Sequence, residues 1–273
     1  MKTIGLIAGM GKLPRLIAED ARQRGYRVVA VGLEPVVNDK KLESAVDVFE
    51  LINVGKLDKL IKTLKKNGVN EVVMAGKVSK ELIYKGHVTP DLRAIKLLWK
   101  LKDRSDDTVM LAITGELEKD GIRLLETTSF SSGLLAPEGC ITKKQPTKAQ
   151  WKDIEWGYDM AKEVGRLDIG QTVVVKEQAV MAVEAIEGTD EAIKRGGKLA
   201  GAGAVVIKTA KPGQDLRFDV PAVGLSTINS MIEAEAFVLA VEAGATLFLE
   251  KEEIIAQAEE AGIVIVGYKK SRK

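Results

Sequence analysis

The strongest constraint on this chain is the regular alternation of short apolar runs with amphipathic stretches over its first half. Residues 3–8, 27–31, 47–52 and 71–75 read as strands. Residues 14–24 and 57–66 carry the apolar period of helices, the first opened by Pro14 and the second stopped by Asn67-Gly68. A series of this kind predicts a mostly parallel sheet with right-handed crossovers and ligand loops at the carboxyl ends of its strands. Those loops are Gly9-Met10-Gly11-Lys12-Leu13-Pro14 and Gly76-Lys77-Val78-Ser79.

The first loop opens like a dinucleotide fingerprint, with Gly9 and Gly11 at the right spacing. Pro14, however, stands where the third glycine would permit close helix packing, which counts against an NAD-dependent oxidoreductase. Gly11-Lys12 is followed by leucine, not serine or threonine, so the loop is not a P-loop either. What remains is a glycine-rich turn into a helix N-terminus, readable as an anion site or as a tight connection with no ligand.

Two further helices are expected at 90–100 and 107–119 and a strand at 122–127, followed by a proline- and glycine-containing stretch without period. This divides the chain into an N-terminal Rossmann-like parallel-sheet domain at residues 1–134 and a C-terminal mixed α/β domain at residues 135–273. The second half reads as a helix at 147–164 and a hairpin of 172–176 with 179–186. A short helix capped by Thr189 follows, then a flexible glycine stretch at 196–203 and a strand at 204–208. A helix at 227–242, a strand at 245–249, a helix at 251–260 and a strand at 264–267 complete the pattern.

Between Lys208 and Gly224 the composition changes: two carboxylates, three cations and the turn formers Pro212-Gly213 and Pro221 fall within seventeen positions. Read as an extended segment, 214–220 would place Asp215, Arg217 and Asp219 on one face and Leu216, Phe218 and Val220 on the other. The charged row then faces either plain solvent or a site. Carboxylates suit a hard cation such as Mg²⁺, and Lys208 and Lys211 beside them suit phosphate.

Composition narrows the function classes. Lys plus Arg number 41 against 39 for Asp plus Glu, and aromatics are 4% of the chain, so neither bulk charge nor base stacking points to nucleic acid. One cysteine, Cys140, leaves no intrachain disulfide framework, and one histidine, His87, leaves no histidine-rich metal site. No apolar run approaches the length of a membrane span, and the chain begins directly on a strand pattern, so a cytoplasmic enzyme or binding protein is expected.

Several of these stretches together resemble the LpxI-type UDP-2,3-diacylglucosamine pyrophosphatases. They are the first glycine loop, Ala75-Gly-Lys-Val-Ser79, Asp106-Asp107, Gly165-Arg-Leu-Asp-Ile-Gly-Gln171, Glu184 with Glu187-Gly-Thr-Asp190, and Lys211-Pro through Arg217-Phe-Asp-Val-Pro-Ala-Val-Gly224. The resemblance covers essentially the whole chain. It implies a hydrolase of lipid A biosynthesis, with water attacking the α-phosphorus of a lipid-linked UDP-sugar to give UMP and 2,3-diacylglucosamine 1-phosphate. It implies Asp219 as the catalytic residue, with Asp219, Asp190, Glu187 and Asp215 as ligands for Mg²⁺, or Mn²⁺ in its place. Gly9, Gly11, Lys12, Gly76, Lys77, Ser79, Thr189, Lys208, Lys211 and Arg217 are the expected substrate-binding residues. A peripheral contact with the inner membrane and a homodimer both stay open, as does a non-catalytic nucleotide- or lipid-binding module.

Overall fold

The computed structural model describes residues 1–78, 88–101 and 106–270, which form two compact units. Unit 1 is Met1–Ser132 together with Leu216–Phe218, and unit 2 is Gly133–Asp215 with Asp219–Lys273. The protein is α/β, as the alternation predicts. Among the described residues no helix is long and apolar enough to cross a membrane.

Unit 1 holds strands β1 (Thr3–Ala8), β2 (Arg27–Glu34), β3 (Val48–Asn53), β4 (Glu71–Ala75) and β5 (Arg123–Leu125). They form one sheet in the order β3-β2-β1-β4-β5, every pairing parallel. Its helices are α1 (Leu13–Gln23), α2 (Leu57–Lys66), α3 (Leu92–Lys100) and α4 (Asp106–Lys119). The sheet is covered on both faces, and the strand period sorts its side chains accordingly. Val29 and Val31 of β2 join Ile52, Leu60, Ile61 and Leu64 in one apolar cluster, whereas Val28 and Ala30 join Ile17 and Ala18 in another. The tripeptide Leu216–Phe218 belongs to this unit because Phe218 packs on the first cluster and Thr127 reads its backbone. The Thr127 N–H donates to the Leu216 carbonyl at 2.9 Å, and its hydroxyl donates to the carbonyls of Met74 (3.0 Å) and Arg217 (3.2 Å).

Unit 2 is built on a mixed sheet, β6-β13-β11-β9-β7-β8. The strands are β6 (Gly139–Cys140), β7 (Thr172–Lys176), β8 (Ala179–Val183), β9 (Val205–Lys208), β11 (Val238–Glu242) and β13 (Val264–Tyr268). A separate parallel pair joins β10 (Ala222–Val223) to β12 (Leu247–Phe248). Helix α5 (Lys148–Arg166) packs Ile154, Tyr158 and Ala161 on one face of the large sheet. Helices α6 (Thr189–Ala200), α7 (Leu225–Glu233) and α8 (Lys251–Glu260) supply Ile193, Ile228, Met231 and Ile254 to the other.

Two sequence expectations fail here for identifiable reasons. The stretch read as one helix over 227–242 is helix α7 followed by the buried strand β11. A continuous apolar run looks alike in a buried helix and a buried strand. No glycine marks the break, because Glu235 itself takes the left-handed backbone at φ +49°. The stretch read as flexible over 196–203 is helical as far as Ala200. A Cβ on Gly196 would lie 2.6 Å from Val174 Cβ, and one on Gly197 would lie 2.5 Å from the Ala234 carbonyl oxygen, so these glycines serve close packing of α6. Exposed Glu235 offers a simple check. Glu235→Gly removes left-handed strain at a helix C-terminus and is expected to be stabilising by up to about 1 kcal/mol, offset in part by the freer unfolded chain. Thermal melts would show it, and a lowered melting temperature would refute it.

Candidate active site

The candidate site grows from the carboxyl end of β9, where three of the singled-out segments converge within unit 2. Lys208, the last residue of β9, is 5% exposed. Its ammonium donates to the Thr189 hydroxyl at 3.0 Å, and that hydroxyl donates to Glu184 Oε1 at 2.8 Å. Glu184 is itself buried, and its other oxygen accepts from the Gln171 N–H at 3.4 Å. The next backbone link, from the Thr209 N–H to the Gln171 carbonyl at 3.0 Å, ties β9 to the segment ahead of β7. Gly170 is obligatory here, since a Cβ on it would stand 2.1 Å from the Glu184 carbonyl oxygen. The cap of α6 is Gly188 at φ +84°, not Thr189 as expected. The reason is that the threonine hydroxyl is committed to Glu184 and Lys208 instead of the helix backbone.

The loop beyond β9 is held from below by a second, half-buried group. Glu242 at the end of β11 accepts from the Ala210 N–H (2.8 Å), the Tyr158 hydroxyl (3.0 Å) and Lys162 Nζ (2.6 Å), and Lys162 also donates to the Ala210 carbonyl at 2.8 Å. Burial first, and then the Glu242 charge, push the Tyr158 phenol well above its ordinary pKa, so it stays a hydrogen-bond donor. Above this anchor Lys211 Nζ donates to Asp168 Oδ1 at 2.6 Å, with Asp168 in the left-handed region at φ +56°. The Lys211 N–H donates to Gln214 Oε1 at 2.8 Å, and Gln214 Nε2 donates to Asp219 Oδ2 at 2.5 Å. Asp219 is thus oriented at the surface by a side chain that is itself fixed to the loop backbone.

The extended reading of 214–220 is corrected by one bond: the Asp219 N–H donates to the Asp215 carbonyl at 3.0 Å, closing a single helical-type turn. Residues 216–218 form that turn and are drawn into the core of unit 1 by Phe218, so Asp215, Arg217 and Asp219 do not form one strand face. Arg217 lies 3.9 Å from Glu118 within unit 1.

Residues 3–134 match the family model of the LpxI N-terminal domain, and residues 137–266 match that of the LpxI C-terminal domain. This chain belongs to the LpxI family. A Caulobacter vibrioides protein, UDP-2,3-diacylglucosamine pyrophosphatase LpxI, is 32% identical over 278 residues that cover 98% of each chain. Among solved structures, phosphoribosylglycinamide synthetase from Anaerococcus prevotii aligns over 70% of this chain and 34% of its own, at 12% identity and a TM-score of 0.26. N5-carboxyaminoimidazole synthetase from Staphylococcus aureus aligns over 76% and 47%, at 19% identity and a TM-score of 0.23. This chain therefore spans about a third and about half of those two proteins, and likeness at that level carries no argument.

Within this LpxI chain the expected metal set is not gathered: among the described residues no three His, Cys, Asp or Glu side chains come close enough to hold an ion. Glu187 is taken up by Arg195 and by the Ala185 N–H, and the Arg195 hydrogen bond holds its carboxyl below the ordinary glutamate pKa. Asp190 Oδ1 accepts from the Thr227 hydroxyl at 3.4 Å, and Asp219 is held by Gln214. In this structure Asp219, Asp190 and Glu187 each accept a side-chain hydrogen bond.

The LpxI loops of unit 1 are explained largely by backbone packing. Met10 and Lys77 exchange backbone hydrogen bonds at 2.9 and 3.0 Å. A Cβ on Gly9 would lie 2.7 Å from the Lys77 carbonyl oxygen, and one on Gly76 would lie 2.7 Å from Gly9 C, so neither position accepts a side chain. Gly11, at φ +101°, donates its N–H to Asn38 Oδ1 at 2.9 Å. Lys12 and Lys77 are exposed, and Ser79 and His87 lie outside the described residues. Sequence reasoning missed Gln214, Asp168 and Glu242 as site-shaping residues. Gln214 and Asp168 stood inside the quoted stretches, while Glu242 was hidden by the mistaken helix.

Proposed function

We propose that this chain is a UDP-2,3-diacylglucosamine pyrophosphatase, splitting the diphosphate of the lipid-linked UDP-sugar into UMP and 2,3-diacylglucosamine 1-phosphate. The observation that carries the reading is the joining of the Arg166–Gln171, Glu184–Asp190 and Lys208–Asp219 segments into one hydrogen-bonded network around β9, in a chain matched end to end by the Caulobacter vibrioides enzyme. Hydrolysis of a phosphoric anhydride needs cations to neutralise phosphoryl oxygens and a base to take a proton from water. Lys208 and Lys211 supply positive charge on a rigid strand end and a braced loop. Asp219 is the carboxylate set to receive the proton as the water oxygen bonds to phosphorus and the bridging anhydride oxygen departs.

The test is incubation with UDP-diacylglucosamine, following UMP. Release of UDP, or no turnover, rejects the proposal. Heavy-oxygen water assigns the attacked phosphorus: label in UMP supports attack at the α-phosphorus, and label in the sugar phosphate moves it to the β-phosphorus. A divalent ion enters this reading through the substrate, because Mg²⁺ is commonly carried by phosphates with one or two carboxylates instead of a dedicated cage. Dialysis against EDTA is then expected to abolish UMP release and Mg²⁺ or Mn²⁺ to restore it, while calorimetry on the ligand-free protein finds no tight Mg²⁺ site. Full activity after chelation would remove the ion from the reaction.

A further inference from the structure

Helix α3 is apolar on two opposite sides. Ala94 and Leu97 point into the core cluster of unit 1, while Leu92 is 76% and Trp99 86% exposed on the far side. Large apolar side chains grouped in water on one helix face mark a contact surface, so the outer face calls for a partner. Leu92 and Trp99 are separated by two turns, about 10 Å along the axis, with Lys96 between them on the same face and Lys100 at its edge. Residues 92–100 contain no acidic side chain. The start of α2 is fastened to that of α3 by Asp91, which caps Ala94 N at 2.9 Å and accepts from the Asp58 N–H at 2.8 Å. Beside this junction Lys56, Lys59, Lys62 and Lys66 line one surface groove, with Glu50, Asp58 and Asp91 as its acidic members.

We propose that the outer face of α3 docks on the surface of an anionic lipid bilayer. An exposed indole and leucine suit the boundary between headgroups and acyl chains, and lysines beside them lay their stems along the apolar layer while their ammonium tips reach lipid phosphates. A second copy of the chain fits less well, because a two-fold contact would bring Lys96 and Lys100 against the same charges with no acidic residue on the helix to answer them. Anionic headgroups neutralise these charges. The inference rests on the lipid-linked substrate of the proposed function only for its purpose, namely bringing the enzyme to the layer in which that substrate resides.

The test is flotation of the full chain with vesicles of phosphatidylglycerol and phosphatidylethanolamine, against phosphatidylcholine vesicles as the neutral control. The wild-type chain should float with the anionic vesicles and release as salt is raised. Leu92→Ser with Trp99→Ser, and separately Lys96→Glu with Lys100→Glu, should each weaken binding by about tenfold or more without moving the thermal melt. Both variants should still release UMP from detergent-dispersed substrate at the wild-type rate. Lack of flotation, or variants that float like wild type, would overturn the docking site, as would a dimer broken by the Leu92/Trp99 pair without vesicle binding. Absence of UMP release from the wild-type chain sinks the hydrolase reading alone, since flotation is measured without substrate.

Discussion

Asp219→Ala is expected to lower turnover by about 10² to 10⁴ while substrate still binds, the usual worth of a positioned general base. The carboxylate is exposed, sits at the end of the Asp215–Asp219 turn and is aimed by Gln214. Its removal should therefore change stability by no more than about 0.5 kcal/mol. Asp219→Asn keeps the shape and an acceptor for Gln214 but cannot take a proton. If the role is chemical, the asparagine variant is as slow as the alanine one. If Asp219 merely secures the loop, asparagine restores most of the rate. Single-turnover UMP release paired with a thermal melt separates these outcomes, and a folded, fully active Asp219→Ala protein would move the base elsewhere, with Asp190 the next residue to test.

Gly170→Ala is expected to be the most damaging single-methyl change near the site, costing about 3 kcal/mol or more. The added Cβ would meet the Glu184 carbonyl oxygen at 2.1 Å, a backbone atom with no flexible end to swing away. Relief requires moving Glu184, and with it Thr189 and the ammonium of Lys208. Activity should therefore fall even in protein that remains folded. Gly213→Ala is the matched control: its φ of +77° strains an alanine by about 1–2 kcal/mol, but nothing lies near the new methyl. A Gly170→Ala variant that melts with wild type would mean that the β8 end yields freely, against the picture of a rigid strand-end network.

What was legible in the sequence follows from how local each signal is. Strand β1, helix α2 and strand β4 coincide with their predicted bounds, because a buried parallel strand and an amphipathic helix each write their period into consecutive residues. The hairpin of β7 and β8 was readable too, with Glu177 and Gln178 both left-handed at its turn, although β8 ends at Val183 and not at residue 186. The motif residues of the site were also visible as unusual clusters of charge and glycine, and the resemblance to LpxI rested on them.

The sequence by itself determined the α/β class, the parallel sheet of the first unit and the segments that would carry chemistry, because each depends on neighbours within a few positions. Tertiary structure alone decided where those segments go. Alternation along 214–220 fitted a strand, yet packing of the partly buried Phe218 on the first apolar cluster of unit 1 accompanies a turn that leaves Asp219 at its end. Thr189 looked like a helix cap until Lys208, nineteen positions away, and Glu184 claimed its hydroxyl. The run ending at Glu242 became strand β11 because it pairs with β9 and β13 on either side. In each case a distant contact outweighs a local preference worth at most about 1 kcal/mol.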